Sequence, residues 1–163
     1  MIGPRAAALV LALLLVSGCG TDGDEPEPDR LPDTSLPSLT GGAAVDLGEL
    51  TGPAVVNLWA QWCVPCEREL PIYQSFHEQH RDTVSVLGID WQDTQADRAR
   101  ALARAAGVTY PLVVDREPAI RGQALPKLVL LDDDGAIAYE AYVEITSLAQ
   151  LEELVEEHLG VTL

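Results

Sequence analysis

Positive charge is the scarcest thing in this chain. Ten lysines and arginines face 26 aspartates and glutamates, and the formal net charge is −16. Nothing here neutralises a run of phosphates, which excludes nucleic acid as a partner. The same deficit excludes attachment to an anionic bilayer through protein charge alone. Lys127 is the only lysine and Met1 the only methionine. Apolar runs are short as well. Ala6–Val16 falls well below the ~20 residues that span a bilayer. With three cysteines, a fold stapled by several disulfides is excluded. No internal repeat is present, and the length allows one ordinary domain.

What is present at the front reads as an export signal over residues 1–18. Arg5 is its only charge, Ala6–Val16 its apolar core, and Ser17-Gly18 precede Cys19. Small residues before a cysteine resemble a bacterial lipobox, so Cys19 is expected to become the lipidated first residue. The lipid would hold the protein on the extracytoplasmic face of the bacterial cell membrane. Residues 19–35, rich in Asp, Glu and Pro, are expected to form a disordered, self-repelling tether. Residues 36–163 are the expected folded domain.

Within that domain Leu39, Val45, Leu47 and Leu50 suggest a short β-rich lead-in. Ala54–Ala60 reads as a strand and Glu67–His80 as a helix with Leu70, Ile72, Tyr73 and Phe76 on its apolar face. Thr83–Ile89 alternates as a strand. Thr94 is the expected N-cap of a helix over 95–106 that Gly107 ends. Leu112–Asp115 reads as a short strand. Lys127–Leu131 and Ile137–Val143 are joined by Asp132-Asp133-Asp134-Gly135, a hairpin signal. Ser147 and Gln150 fit a capping box for a last helix that Gly160 closes. This order predicts a central mixed sheet with helices on both faces.

The chemistry concentrates in Trp62-Cys63-Val64-Pro65-Cys66. Two cysteines at this spacing can close a small disulfide. They fall where an apolar strand meets a helical pattern, which places Cys63 at a helix N-terminus. Backbone N–H groups and the helix dipole favour a thiolate there. A thiolate beside a second thiol is the working part of dithiol–disulfide exchange. A purely structural bridge is the competing reading, but so short a loop removes little chain entropy. A zinc site using His77 or His80 fails on distance. His77 lies about 16 Å along the helix from Cys66 at ~1.5 Å per residue. Both histidines are expected at the surface. A copper site on the two thiolates lacks a third ligand, because no histidine or methionine stands near Cys63. No metal and no organic cofactor are expected, and a non-catalytic binding module is the remaining alternative.

The run Asn57-Leu58-Trp59-Ala60-Gln61-Trp62-Cys63-Val64-Pro65-Cys66-Glu67-Arg68-Glu69-Leu70-Pro71 resembles the active-site signature of membrane-tethered thioredoxin-like proteins of the TlpA/ResA/DsbE type. The tryptophans, the cysteine pair, Glu69 and Pro71 all fall in register. The resemblance implies a thioredoxin-like α/β fold with an N-terminal β extension and an insertion before a cis-proline hairpin. Its activity would be thiol–disulfide exchange on cysteines of exported proteins such as apocytochrome c, by a monomer drawing electrons from a membrane thiol carrier. Cys63 would be the nucleophile, Cys66 the resolving thiol, and Cys63–Cys66 the redox disulfide. Pro126 would be cis and face the cysteines. Glu69, three residues after Cys66, would carry its proton, since Asn57 holds the strand position where thioredoxins keep a buried acid. Trp62, Val64, Pro65, Leu125 and Lys127 would line the substrate groove. Lys127 stands where a small hydroxyl residue is usual, and its amine would lower the Cys63 pKa if it came near.

Overall fold

The computed structural model describes residues 28–163. The expected export signal, Cys19 and the first residues of the expected tether lie outside the described residues. Ser35–Leu36 (β1) and Val45–Asp46 (β2) pair antiparallel as the expected β extension. Ala54–Trp59 (β3) leads into Val64–His80 (α1), Ser85–Trp91 (β4), Ala96–Ala105 (α2) and Leu112–Asp115 (β5). Lys127–Leu131 (β6), Ile137–Ala141 (β7) and Leu148–Leu159 (α3) complete the chain. The sheet order is β5-β4-β3-β6-β7, with β3, β4 and β5 parallel and β6 and β7 antiparallel to their neighbours. Every residue of β3 is buried, as a near-continuous apolar run in a central strand requires.

The helices do not divide between the two faces as expected. The chain steps from β3 to β4 and from β4 to β5 in the same direction across the sheet. Right-handed crossovers then put α1 and α2 on one face. Packing agrees: Leu70 and Phe76 of α1, Ala99 and Ala103 of α2, and Leu151 and Val155 of α3 share one apolar cluster with Val55, Trp59 and Leu128. The opposite face carries Val56, Leu58, Ile89, Val129 and Leu131. It is covered by Leu31, Leu36, Leu47 and Ile120, none of them helical.

That face also corrects the tether boundary. Leu31 is buried, Arg30 bridges to Ala136, and the Ile137 N–H donates to the Asp29 carbonyl at 2.8 Å. Residues 29–35 therefore belong to the packed fold. One leucine among prolines and acids carries no compositional signal, but it closes a sheet face that no helix covers.

Caps differ in detail. Thr94 does not cap α2; the Gln95 N–H, at the helix start, donates to Asp93 Oδ1 at 2.7 Å. Ser147 Oγ accepts from the Gln150 N–H at the start of α3, and Gln150 Oε1 returns to the N–H of Thr146 rather than Ser147. Gly135, at φ +80°, closes the β6–β7 turn so near Leu50 that a Cβ there would stand 2.1 Å from its carbonyl oxygen. His80 is not a free surface residue. Its Nε2 lies 2.8 Å from Glu152 Oε1 and its ring sits against Phe76, tying α1 to α3.

Candidate active site

β3 ends at the centre of the sheet, and Ala60–Trp62 turn the chain into α1. Cys63 is the N-cap of that helix. Its N–H donates to the Ala60 carbonyl at 3.0 Å, and its Sγ accepts the Cys66 N–H at 3.3 Å. A thiolate in this position receives an amide hydrogen bond and the positive end of the helix dipole. Pro65 sits in the first turn, where a missing N–H costs nothing. Cys63 and Cys66 are joined as a disulfide, with Cα atoms 5.3 Å apart. Cys66 has no exposed surface, whereas Cys63 keeps 5%. An incoming sulfur can therefore reach only Cys63.

The rim around that sulfur is apolar and open. Trp62 is 51% and Val64 64% exposed, the largest exposed apolar side chains beside the site. The Leu125–Pro126 peptide is cis. β6 begins at Lys127 opposite Leu58, so Pro126 stands beside the end of β3, where the chain leaves for Cys63. Leu125 packs partly buried at the boundary of both apolar clusters. These residues gather at one end of the sheet.

Lys127 does not join them. Successive strand residues point to opposite faces. Leu128 and Leu130 lie in the cluster that holds both cysteines, and Val129 and Leu131 in the other. Lys127 shares the face of Val129. Its Nζ lies 2.8 Å from Glu140 Oε2 and donates to the Arg121 carbonyl at 3.1 Å, with the Tyr142 ring 5.6 Å away. The expectation that Lys127 lines the groove is thus corrected, and the condition for its amine to act on Cys63 is not met: the sheet separates them.

Glu69 lies one turn beyond Cys66 on the buried face of α1 and is 1% exposed. Its Oε1 accepts the Ile145 N–H at 2.5 Å, the only hydrogen bond its side chain makes among the described residues. Burial pushes its pKa up to about 7 against the lowering effect of that hydrogen bond, and Glu144 adds to the rise. Asn57, on the cysteine-bearing face of β3, is also buried.

Two acids that sequence reasoning passes over stand on the same face. Asp90, at the end of β4 in register with Trp59, has no exposed surface. Burial, then the neighbouring Asp93 carboxylate, pushes its pKa up to about 8. Asp93 is buried too, and its Oδ2 accepts the N–H of Gln61, two residues before Cys63, at 3.0 Å. Only the spacing of two acids at a strand end could have flagged them, and that pattern reads first as a turn. Among the described residues no group of three His, Cys, Asp or Glu side chains is placed to hold a metal ion. No helix among them is long and apolar enough to cross a membrane.

The chain is similar to known proteins over most of its described length. The model of the AhpC/TSA family matches residues 28–140. The Thioredoxin-like protein YneN of Bacillus subtilis is 27% identical over 117 residues, covering 68% of each chain. The thiol:disulfide interchange protein DsbE of Pseudomonas fluorescens is 33% identical over 121 residues, 71% of this chain and 64% of that one. The chain thus spans about two thirds of the length of these relatives. Among solved structures, a DsbF homologue from Corynebacterium diphtheriae superposes with a TM-score of 0.69 at 25% identity, over 82% of this chain and 89% of that one.

Proposed function

The chain belongs to the AhpC/TSA family, and from that premise we propose that it exchanges electrons with the cysteines of other proteins through Cys63 and Cys66. The observation that carries this is the difference between the two sulfurs: Cys63 is an amide-bonded helix cap at an open apolar rim, and Cys66 is sealed behind it. In the reducing direction the Cys63 thiolate attacks a partner disulfide. One partner sulfur bonds to Cys63 and the other leaves as a thiolate. Cys66, losing its proton, then attacks Cys63 and releases the partner as a dithiol, leaving the Cys63–Cys66 disulfide. Two electrons pass to the partner. Glu69, buried one turn from Cys66, accepts the Cys66 proton in that step, directly or through water. An extended partner segment lies against Trp62, Val64 and the Leu125–Pro126 peptide.

In our reading the protein is an exported monomer, held by lipid on Cys19 at the extracytoplasmic membrane face. It takes electrons from a membrane thiol carrier and keeps cysteines of exported proteins, such as apocytochrome c, reduced. A glutathione redox titration of the soluble domain tests the direction. A midpoint near the thioredoxin value of about −270 mV supports a reductant, and one near about −120 mV an oxidant. Cys66→Ser should accumulate a mixed disulfide with its partner in cells, retained in the membrane fraction unless Cys19 is also changed. Cys63→Ser should accumulate none. Equal trapping by both variants would overturn the assignment of roles.

A further inference from the structure

The corner between β4 and α2 buries two carboxyl groups, Asp90 and Asp93, three residues apart in the chain. Asp90 is buried, and neither of its carboxyl oxygens meets an N–H or O–H donor. The charged group that bears most on it is the neighbouring carboxylate of Asp93, which disfavours a second negative charge beside it. Two carboxyl groups hydrogen-bond only when one of them keeps its proton. Asp93 already accepts two backbone amides, Gln61 N–H on Oδ2 at 3.0 Å and Gln95 N–H on Oδ1 at 2.7 Å, whereas Asp90 accepts none. Between the two acids, Gln92 takes φ +53°, the one described non-glycine residue in the left-handed region. Strained backbone of this kind persists where the surroundings over-determine it. Here the Gln92 N–H is held by the Asp115 carbonyl at 2.8 Å, and a buried acid stands on either side.

We propose that Asp90 and Asp93 are a positioning pair for the loop that carries Cys63, with a protonated Asp90 bonded to an ionised Asp93 and Asp93 fastening the loop at Gln61. This deepens the exchange reading and rests on it for its purpose. The Gln61 tie fixes the chain two residues before the nucleophile, on the side away from α1. The Cys66 amide fixes the sulfur from the other side. If Asp90 ionises, two adjacent buried carboxylates repel and the tie loosens. The ionisable groups buried on this face of the sheet include Cys66, Glu69 and Tyr73 of α1 and Tyr110 ahead of β5, and Arg116 follows β5. Of these, Arg116 opposes the retention of the proton. The buried face of α2 contributes only alanines, and β3 contributes Asn57 and Trp59.

The test reads the loop itself, so that its failure is distinct from failure of the exchange chemistry. Hydrogen exchange of the Gln61 amide, expressed as a protection factor, should fall about tenfold between pH 7 and 9 in the oxidised protein. Asp90→Asn cannot ionise but keeps an N–H for Asp93, and it should abolish that fall while Gln61 stays protected at pH 7. Asp93→Asn should lower protection at both pH values. In a Cys66→Ser background, the alkylation rate of Cys63 should show the same alkaline step, absent when Asp90→Asn is added. Should Asp93→Asn fail to fold, the carbon-13 shift of the Asp90 carboxyl still decides the matter. A shift marking it protonated at pH 6 supports the pair. An ionised Asp90 at pH 6, or Gln61 protection equally flat in wild type and Asp90→Asn, overturns it.

Discussion

Glu69 and the two cysteines show how placement gives ordinary side chains unlike tasks. A glutamate in water ionises near pH 4.3. Burial on α1, three residues after Cys66, moves Glu69 to about 7. Below that value Glu69 is protonated and cannot take the proton of Cys66. Release of the partner from its mixed disulfide should therefore speed up as pH rises through about 7. Glu69→Gln keeps an oxygen for the Ile145 N–H but holds no proton-accepting carboxylate. The expected result is a partner-release rate lower by about 10²-fold at pH 8, with the step near pH 7 gone. Single-turnover decay of the mixed disulfide measures both. An unaltered pH profile in Glu69→Gln would leave Glu69 with a packing role only.

At the scale of elements, the helix-free face of the sheet depends on its N-terminal cover. Leu31 is the residue furthest forward in that cover, and it is buried against a face that includes Val129 and Leu131. Leu31→Ala should cost about 2–4 kcal/mol, as truncation of a buried leucine generally does. Removal of residues 1–35 should cost at least as much, measured against the form that lacks residues 1–27. Urea unfolding of the three soluble forms, oxidised, checks this; a stable 36–163 fragment would return residues 29–35 to the tether. The contrast marks what was legible. The β3–α1 corner could be read because an apolar run changes to helical spacing at the cysteine pair, and the caps of α3 because Ser147 and Gln150 make local bonds. The face on which each helix lies could not be read. It depends on the direction in which the chain crosses the sheet, and element order does not state that. Lys127 was misplaced for a related reason: being next to Pro126 in sequence says nothing of which side of β6 its amine takes. Asp90 and Asp93 were missed because their burial is a property of the neighbours, not of the two letters.

For the whole molecule, the buried acids and the surface acids pull stability in the same direction with pH, and salt separates them. Glu69 and Asp90 have folded-state pKa values raised to about 7 and about 8. Their unfolded values lie near 4. Between those limits the folded chain binds more protons than the unfolded one, so stability falls as pH rises from about 4 to about 8 and is level beyond. Each group contributes a slope of up to about 1.4 kcal/mol per pH unit inside its window. The surface adds to this, because a formal charge of −16 repels itself more strongly in the compact state as carboxylates ionise. Repulsion between exposed charges is screened at ~1 M salt, where the Debye length is about 3 Å, whereas a buried carboxyl is screened far less. The oxidised soluble domain should therefore be more stable at pH 5.5 than at pH 8, and most of that difference should persist in ~1 M sodium chloride. Glu69→Gln and Asp90→Asn should each flatten the slope and together remove most of it, since their sites share no hydrogen bond. Urea midpoints at the two pH values and two salt concentrations measure this. A slope that vanishes in salt while remaining in the double variant would assign the pH dependence to the acidic surface, and Glu69 and Asp90 would then be ionised in the fold.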